Sequence, residues 1–209
     1  EMGTDPKKSA PVFFTKPTHN LTPAALGPAA PGPNDPDGHS TIEVPYPPAT
    51  INLHHEVELV VALGKGGRDI DPQDAASHIY GYSVGLDLTR RDLQNTARKA
   101  GMPWDMAKGF DFAAPCSAIQ PADMMTHPLQ GTIELAVNGE RRQSALLTDL
   151  IWSVDEIIAA LSRLVTLYPG DLIFTGTPDG VAAIEPGDKL EARIDDVGSL
   201  NAEIVPALK

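Results

Sequence analysis

His54-His55-Glu56-Val57-Glu58-Leu59-Val60-Val61 is the stretch on which the reading of this chain turns. The apolar residues after the acidic pair, continuing to Leu63, predict a buried strand over Glu56–Leu63. In a strand, residues two apart share a face, so Glu56 and Glu58 project side by side with His54 on the same side. Two carboxylates that enter a core together repel, and burial raises the cost of each. One of them is protonated, or both face water, or a cation sits between them. A bare Glu-x-Glu is ordinarily a solvated strand face, but Val57, Leu59, Val60 and Val61 weigh against that here.

Working outward, strands are predicted at Val12–Thr15, Thr41–Val44, Tyr80–Leu88, Thr132–Val137, Leu172–Thr175, Lys189–Ile194 and Ala202–Val205. Asn138-Gly139 is a hairpin-turn signal. The breaker-rich run Pro28–Gly38 reads as a surface loop. Two helices are expected, Asp92–Ala100 and Ser153–Val165. In the second, Ser153 and Glu156 fit a capping box ahead of the apolar face Ile157, Ala160, Leu161 and Leu164. Strands outnumber helices and do not alternate regularly with them, which argues against a doubly wound or (β/α)8 fold and for a β-rich α+β domain spanning 1–209.

A third carboxylate joins the first two. Asp87 ends the predicted strand Tyr80–Leu88 just ahead of a polar helix, a place from which it can face a cleft, although alone it would read as a turn or N-cap aspartate. Three carboxylates without zinc-type cysteine spacing favour an oxygen-loving ion, Mg2+ or Mn2+, with Ca2+ also compatible. His54 and His55 are read as supporting rather than ligating groups. Arg91 and Gln94, three apart on one helix face, could grip a carboxylate together. Lys108, among small and apolar neighbours, is either a snorkelling surface lysine or a cation held where negative charge develops. In Thr175-Gly176-Thr177-Pro178, Gly176 permits close backbone approach and Thr177 offers a hydroxyl.

Composition narrows the function. With 209 residues and 42% hydrophobic content the chain can bury a sizeable core. Sixteen basic residues against twenty-eight acidic ones give a net charge of −12, which argues against nucleic acid or an anionic membrane as partner. An acidic substrate would therefore need a local positive feature, such as a metal or a placed Arg or Lys. The longest apolar runs are too short to span a bilayer. A lone cysteine, Cys116, excludes an internal disulfide, fits a cytoplasmic setting and reads as a packing residue.

Taken in order, Phe14-Thr15-Lys16-Pro17, His55-Glu56-Val57-Glu58-Leu59, Gly81-Tyr82 through Gly85-Leu86-Asp87-Leu88-Thr89-Arg90-Arg91-Asp92-Leu93-Gln94, Pro103-Trp104 with Lys108, Val137-Asn138-Gly139, and Gly170-Asp171-Leu172-Ile173 with Thr175-Gly176-Thr177-Pro178 resemble the fumarylacetoacetate hydrolase superfamily. The likeness covers nearly the whole chain. Arg90-Arg91-Asp92-Leu93-Gln94 and Leu150-Ile151-Trp152-Ser153-Val154 make it most similar to the bacterial fumarylpyruvate hydrolase branch, associated with gentisate breakdown. The resemblance implies a mixed β-sandwich-roll fold and a homodimer. It implies a divalent metal on Glu56, Glu58 and Asp87, Lys108 at the reacting oxygen, and Arg91, Gln94 and Thr177 on the substrate. Family members also carry an N-terminal lid segment with a catalytic His followed three residues later by a Glu; that His is missing from this sequence, and Glu1 is expected to be that Glu.

The implied reaction is hydrolysis of an acylpyruvate, a small dicarboxylic keto acid such as fumarylpyruvate, to fumarate and pyruvate. Oxaloacetate decarboxylation and isomerisation of a dienoic diacid are alternatives within the superfamily. A non-catalytic metal- or acid-binding module is the alternative of another class.

Overall fold

The computed structural model describes residues 10–24, 41–125 and 129–208. Glu1 and the predicted loop Pro28–Gly38 lie outside them. Among the described residues the strands run in chain order as β1 (Leu21–Pro23), β2 (Ile42–Pro45), β3 (Leu53–His54), β4 (Val57–Leu63), β5 (Ile79–Leu86), β6 (Thr89–Arg90), β7 (Ala114–Cys116), β8 (Gln120–Pro121), β9 (Thr132–Val137), β10 (Glu140–Leu146), β11 (Leu172–Phe174), β12 (Ala183–Ile184), β13 (Lys189–Ile194) and β14 (Gly198–Val205). The helices are α1 (Arg91–Ala100), α2 (Asp105–Lys108) and α3 (Val154–Leu164).

One sheet has the order β1-β7-β5-β4-β11, with β8 also on β5; a second has the order β10-β9-β13-β14-β2; a small third is β12-β3-β6. The first two are mixed: β1 runs parallel to β7 and β2 parallel to β14, and their other pairings are antiparallel. The expected β-rich α+β roll is thus the architecture observed. The two larger sheets face one another, β4 across from β9 and β5 across from β13 and β14. Between them β4 contributes Val57, Leu59, Val61 and Leu63, and β5 contributes Tyr82, Val84 and Leu86. They meet Leu135, Leu190, Ala192, Leu200 and Ile204. Each fully buried Leu or Val contributes about 1.5–3 kcal/mol, and this packing fixes the strands that carry the acidic residues.

The period of two leaves Glu58, Val60 and Ala62 on the opposite face of β4, which is also buried. Gly85 makes that possible. A Cβ there would stand 2.5 Å from Val60 Cγ2 and 2.6 Å from Phe174 Cε1, so only a glycine lets those side chains close over β5. Burial on both faces accounts for the unbroken apolar run that follows the two glutamates.

Several predicted elements are found with small shifts. Ser153 caps α3, accepting from the Glu156 N–H at 3.3 Å while the Glu156 carboxylate accepts from the Ser153 N–H at 2.8 Å. Asn138 and Gly139 turn the β9–β10 hairpin with φ of 53° and 76°. Three expectations are corrected. Val12–Thr15 is not a strand: it pairs with no ladder, and Val12 lies 65% exposed. His54 does not continue the Glu56–Glu58 strand but belongs to β3, paired with β12 and β6. The strand over Tyr80–Leu88 stops at Leu86, leaving Asp87 just beyond its end. No helix among the described residues is long and apolar enough to cross a membrane.

Candidate active site

The antiparallel register of β4 and β5 assembles the acidic cluster. Val57 pairs with Leu86 and Glu58 with Gly85. The next pair outward is Glu56 and Asp87, whose backbones are joined by the Asp87 N–H donating to the Glu56 carbonyl at 2.8 Å. Since Val57 and Leu86 point into the core, Glu56, Glu58 and Asp87 all project to the other side. One carboxylate oxygen from each lies within 4.8 Å of the others, and all three residues are buried. The three acids singled out from the sequence are therefore brought together; His54 and His55 are not members of the cluster.

Cations surround it. Lys108 Nζ donates to Glu56 Oε2 at 2.7 Å, Asp87 Oδ2 at 2.6 Å and Thr89 Oγ1 at 2.7 Å. Arg91 pairs with Glu56 Oε1 and also donates to Gln94 Oε1. Arg91 thus grips a carboxylate beside Gln94 as its helix spacing suggested, but the carboxylate is that of Glu56. Arginine has only donors, so Gln94 must turn its oxygen to it, which leaves the Gln94 amide N–H groups to serve a ligand. A third cation was not anticipated. Lys16 Nζ lies 2.8 Å from Asp87 Oδ1 and donates to the carbonyls of Leu88 (3.1 Å), Ala113 (3.0 Å) and Lys108. Its position in Phe14-Thr15-Lys16-Pro17 was visible, but an isolated surface-like lysine gives no signal of this partner 71 residues on.

Charge is distributed unevenly. Burial alone would raise the Asp87 carboxyl, but the ammoniums of Lys16 and Lys108 hold it below its ordinary value. Burial, with Asp87 as the nearby like charge, raises Glu56 despite Lys108 and Arg91. Glu58 is raised well above the usual range, by burial first and then by Asp87 and Glu56. Its hydrogen bond is a backbone one, from the Gly176 N–H to Oε2 at 2.7 Å. Glu58, the acid with no ammonium of the described residues in hydrogen-bond contact, is therefore the one a cation would relieve most. An all-oxygen carboxylate set fits a hard divalent ion such as Mg2+, Mn2+ or Ca2+.

The cluster opens into a cavity of about 320 Å³ lined by Glu56, Glu58, Asp87, Lys108, Gln94 and Thr177 and walled by Phe14, Trp104, Ile151 and Val181. Arg91 is not part of that lining. Thr177 reaches it, but its hydroxyl is committed, donating to the Val57 carbonyl at 2.9 Å. His54 lies behind Arg91, with Nδ1 3.3 Å from Arg91 Nε. His55 is fully buried and meets the Gln143 Oε1 through Nδ1 at 2.9 Å. Burial lowers its pKa, so it is neutral at pH 7. Both histidines support the site, as expected, rather than enter it. Cys116 is buried in β7, its thiol pushed up to about 12 by burial, which suits packing and not nucleophilic chemistry. Glu1 lies outside the described residues.

Comparison with known proteins agrees with this geometry. The family described as fumarylacetoacetate (FAA) hydrolase C-terminal matches residues 1–205. The chain is 48% identical to a fumarylpyruvate hydrolase of a Ralstonia species over 164 residues, covering 78% of this chain and 85% of that one. It is 37% identical to a mitochondrial oxaloacetate tautomerase of Arabidopsis thaliana over 209 residues, covering 100% of this chain and 86% of the relative. The crystal structure of a fumarylpyruvate hydrolase from Pseudomonas aeruginosa in complex with Mn2+ and pyruvate superposes with a TM-score of 0.89 at 46% identity, covering 98% of this chain and 83% of that one.

Proposed function

The chain belongs to the fumarylacetoacetate hydrolase family, an enzyme family, and from that premise we propose that it is a divalent-metal-dependent hydrolase of acylpyruvates, with fumarylpyruvate as substrate and fumarate and pyruvate as products. The observation that carries this reading is the convergence of Glu56, Glu58 and Asp87 beside Lys108 at the floor of one cavity.

The cations Lys16, Lys108 and Arg91 contact Glu56 and Asp87, and Glu58 completes the acidic cluster beside them. Glu56, Glu58 and Asp87 would hold a divalent ion, which when bound would polarise a keto oxygen and offset negative charge developing on the departing pyruvate fragment. The site thereby attracts an acid despite the chain's net charge of −12.

The chain's own groups do the rest. The Gln94 amide N–H groups orient the keto acid, and Trp104, Phe14, Ile151 and Val181 enclose the acyl end and restrict water. Lys108 directs its N–H groups to Glu56, Asp87 and Thr89. To stabilise an oxyanion it releases one of them toward the cavity. The hydroxyl of water joins the acyl carbon, the electron pair of the broken C–C bond leaves with the pyruvate fragment, and that fragment takes up a proton. Glu1 would assist the group that activates the water, as the family resemblance implies.

The likeness to an oxaloacetate tautomerase supports a second reading, in which the same residues interconvert the keto and enol forms of oxaloacetate without bond cleavage. One assay separates the two. The Mn2+- or Mg2+-loaded protein is given fumarylpyruvate or oxaloacetate while enol absorbance and pyruvate, coupled to lactate dehydrogenase, are followed together. One pyruvate per fumarylpyruvate consumed supports hydrolysis. Faster enol decay of oxaloacetate with no pyruvate from fumarylpyruvate overturns it in favour of tautomerisation.

A further inference from the structure

Gln143 is a polar side chain, 1% exposed, on β10 of the second sheet, 85 residues beyond Glu58. Its amide is used to full capacity. Oε1 accepts from the Val57 N–H at 3.1 Å and from His55 Nδ1 at 2.9 Å; Nε2 donates to Thr177 Oγ1 at 2.8 Å and to the Pro178 carbonyl at 2.8 Å. The Pro178 carbonyl can only accept, so the amide has one orientation, and His55 must carry its proton on Nδ1.

The need for this side chain follows from the edge of β4. The β11 ladder reaches Leu172↔Ala62, Ile173↔Val61 and Phe174↔Val60 and then ends. Thr175 still donates to the Leu59 carbonyl from its N–H (3.1 Å) and hydroxyl (3.0 Å). Beyond it no strand among the described residues covers this edge of Val57, the residue between the two glutamates. Its N–H goes to Gln143 and its carbonyl to Thr177, two side chains that bond each other. The loop after β11 is pinned at both ends, by the Gly176 N–H on Glu58 and by Gly180, where an added Cβ would stand 2.0 Å from the Arg142 carbonyl oxygen. Between those pins lie Thr177, Pro178 and Asp179, all on the cavity wall.

We propose that Gln143 is a positioning residue that sets the Gly176–Gly180 loop against the Glu56-Val57-Glu58 backbone, and so fixes the distance between the Thr177 wall and the acidic cluster that a bound keto acid must span. The substrate side of this statement rests on the keto-acid reading above. Gln143 touches neither the cluster nor the cavity; it acts through Thr177 and Pro178.

The test uses Gln143→Leu, with Gln143→Met as a second variant should the first fold poorly, alongside Thr177→Val and the Gln143→Leu/Thr177→Val double variant. Oxalate, a two-oxygen acid probe, is titrated calorimetrically into the Mn2+-loaded proteins. Amide hydrogen exchange of residues 176–181 is read by mass spectrometry without ligand. Gln143→Leu is expected to weaken oxalate about tenfold with Mn2+ affinity changed less than threefold. The double variant is expected to be no more than about threefold worse than the poorer single one, because one path is being cut twice. Exchange of the loop should rise at least tenfold while β5 and β13 stay protected. Wild-type loop exchange in Gln143→Leu and Gln143→Met, or multiplicative losses in the double variant, would overturn the assignment. Failure of the wild-type protein to bind oxalate would instead count against the keto-acid reading, while exchange alone still decides the role of Gln143.

Discussion

Replacing Glu58 by Gln should stabilise the metal-free protein and abolish its response to metal. Glu58 shares a buried cluster with two other carboxylates, with ligand oxygens within 4.8 Å of one another. At an effective dielectric constant of about 20, two unit charges at that separation repel by roughly 3.5 kcal/mol. Lys108 and the Gly176 N–H offset part of this. The glutamine retains an oxygen for that N–H, so the substitution removes charge and keeps the hydrogen bond. The sign with pH follows from the direction of the shift. The folded-state pKa of Glu58 lies above its value in the unfolded chain, so ionising it costs stability as pH rises from about 4.5 upward. The advantage of Glu58→Gln should therefore be small at pH 5 and reach about 1–3 kcal/mol at pH 8, a discount on the Coulomb figure for relaxation and proton uptake. Urea unfolding in EDTA at the two pH values measures it. On adding Mn2+ the order should reverse, because wild type gains stability and the variant does not. A variant less stable than wild type in EDTA at pH 8, or equally stabilised by Mn2+, would refute the reasoning.

Three further outcomes follow from the packing around the site. Lys16→Met leaves Asp87 Oδ1 and the three carbonyls it holds without their buried partner, and should cost about 3–5 kcal/mol by chemical denaturation, less in an Asp87→Asn background; a loss under 1 kcal/mol would show that Lys16 is not the staple described. Gly85→Ala forces a methyl onto Val60 and Phe174 and should destabilise by about 1–3 kcal/mol, read as a lower urea midpoint, and an unchanged midpoint would contradict the packing. Cys116, buried with its thiol near 12, should resist alkylation by iodoacetamide at pH 8 in the native protein and react fully in urea; rapid native labelling would argue against the β7 placement.

How much of this was legible in the sequence follows from the range of each interaction. The acidic trio was readable because Glu56 and Glu58 are tied by strand period and Asp87 is one hairpin away, so local patterning carries the information. The α3 cap and the Asn138-Gly139 turn were readable for the same reason. What escaped was tertiary and polar. β10 was missed because Arg141 and Ser144 hold its outer face, Glu140 and Gln143 its inner one, and its one buried residue is Gln143, so the apolar alternation that marks a strand is absent. Lys16 and Gln143 meet their partners across 71–97 and 34–88 positions, and neither residue type signals burial. The pairing of Arg91 with Glu56 was not legible either, since helix spacing fixes which residues share a face but not what that face meets. The short β3, broken from β4 at His55, placed His54 beside Arg91 and Asn52 rather than in line with the glutamates.

The most direct test of the central claim is a crystal soaked in Mn2+ with diffraction collected at the manganese edge. One strong anomalous peak per chain is expected, bound by carboxylate oxygens of Glu56, Glu58 and Asp87 with Lys108 alongside. A peak held by other residues, or none at millimolar Mn2+ in a crystal whose cavity is open to solvent, would contradict it.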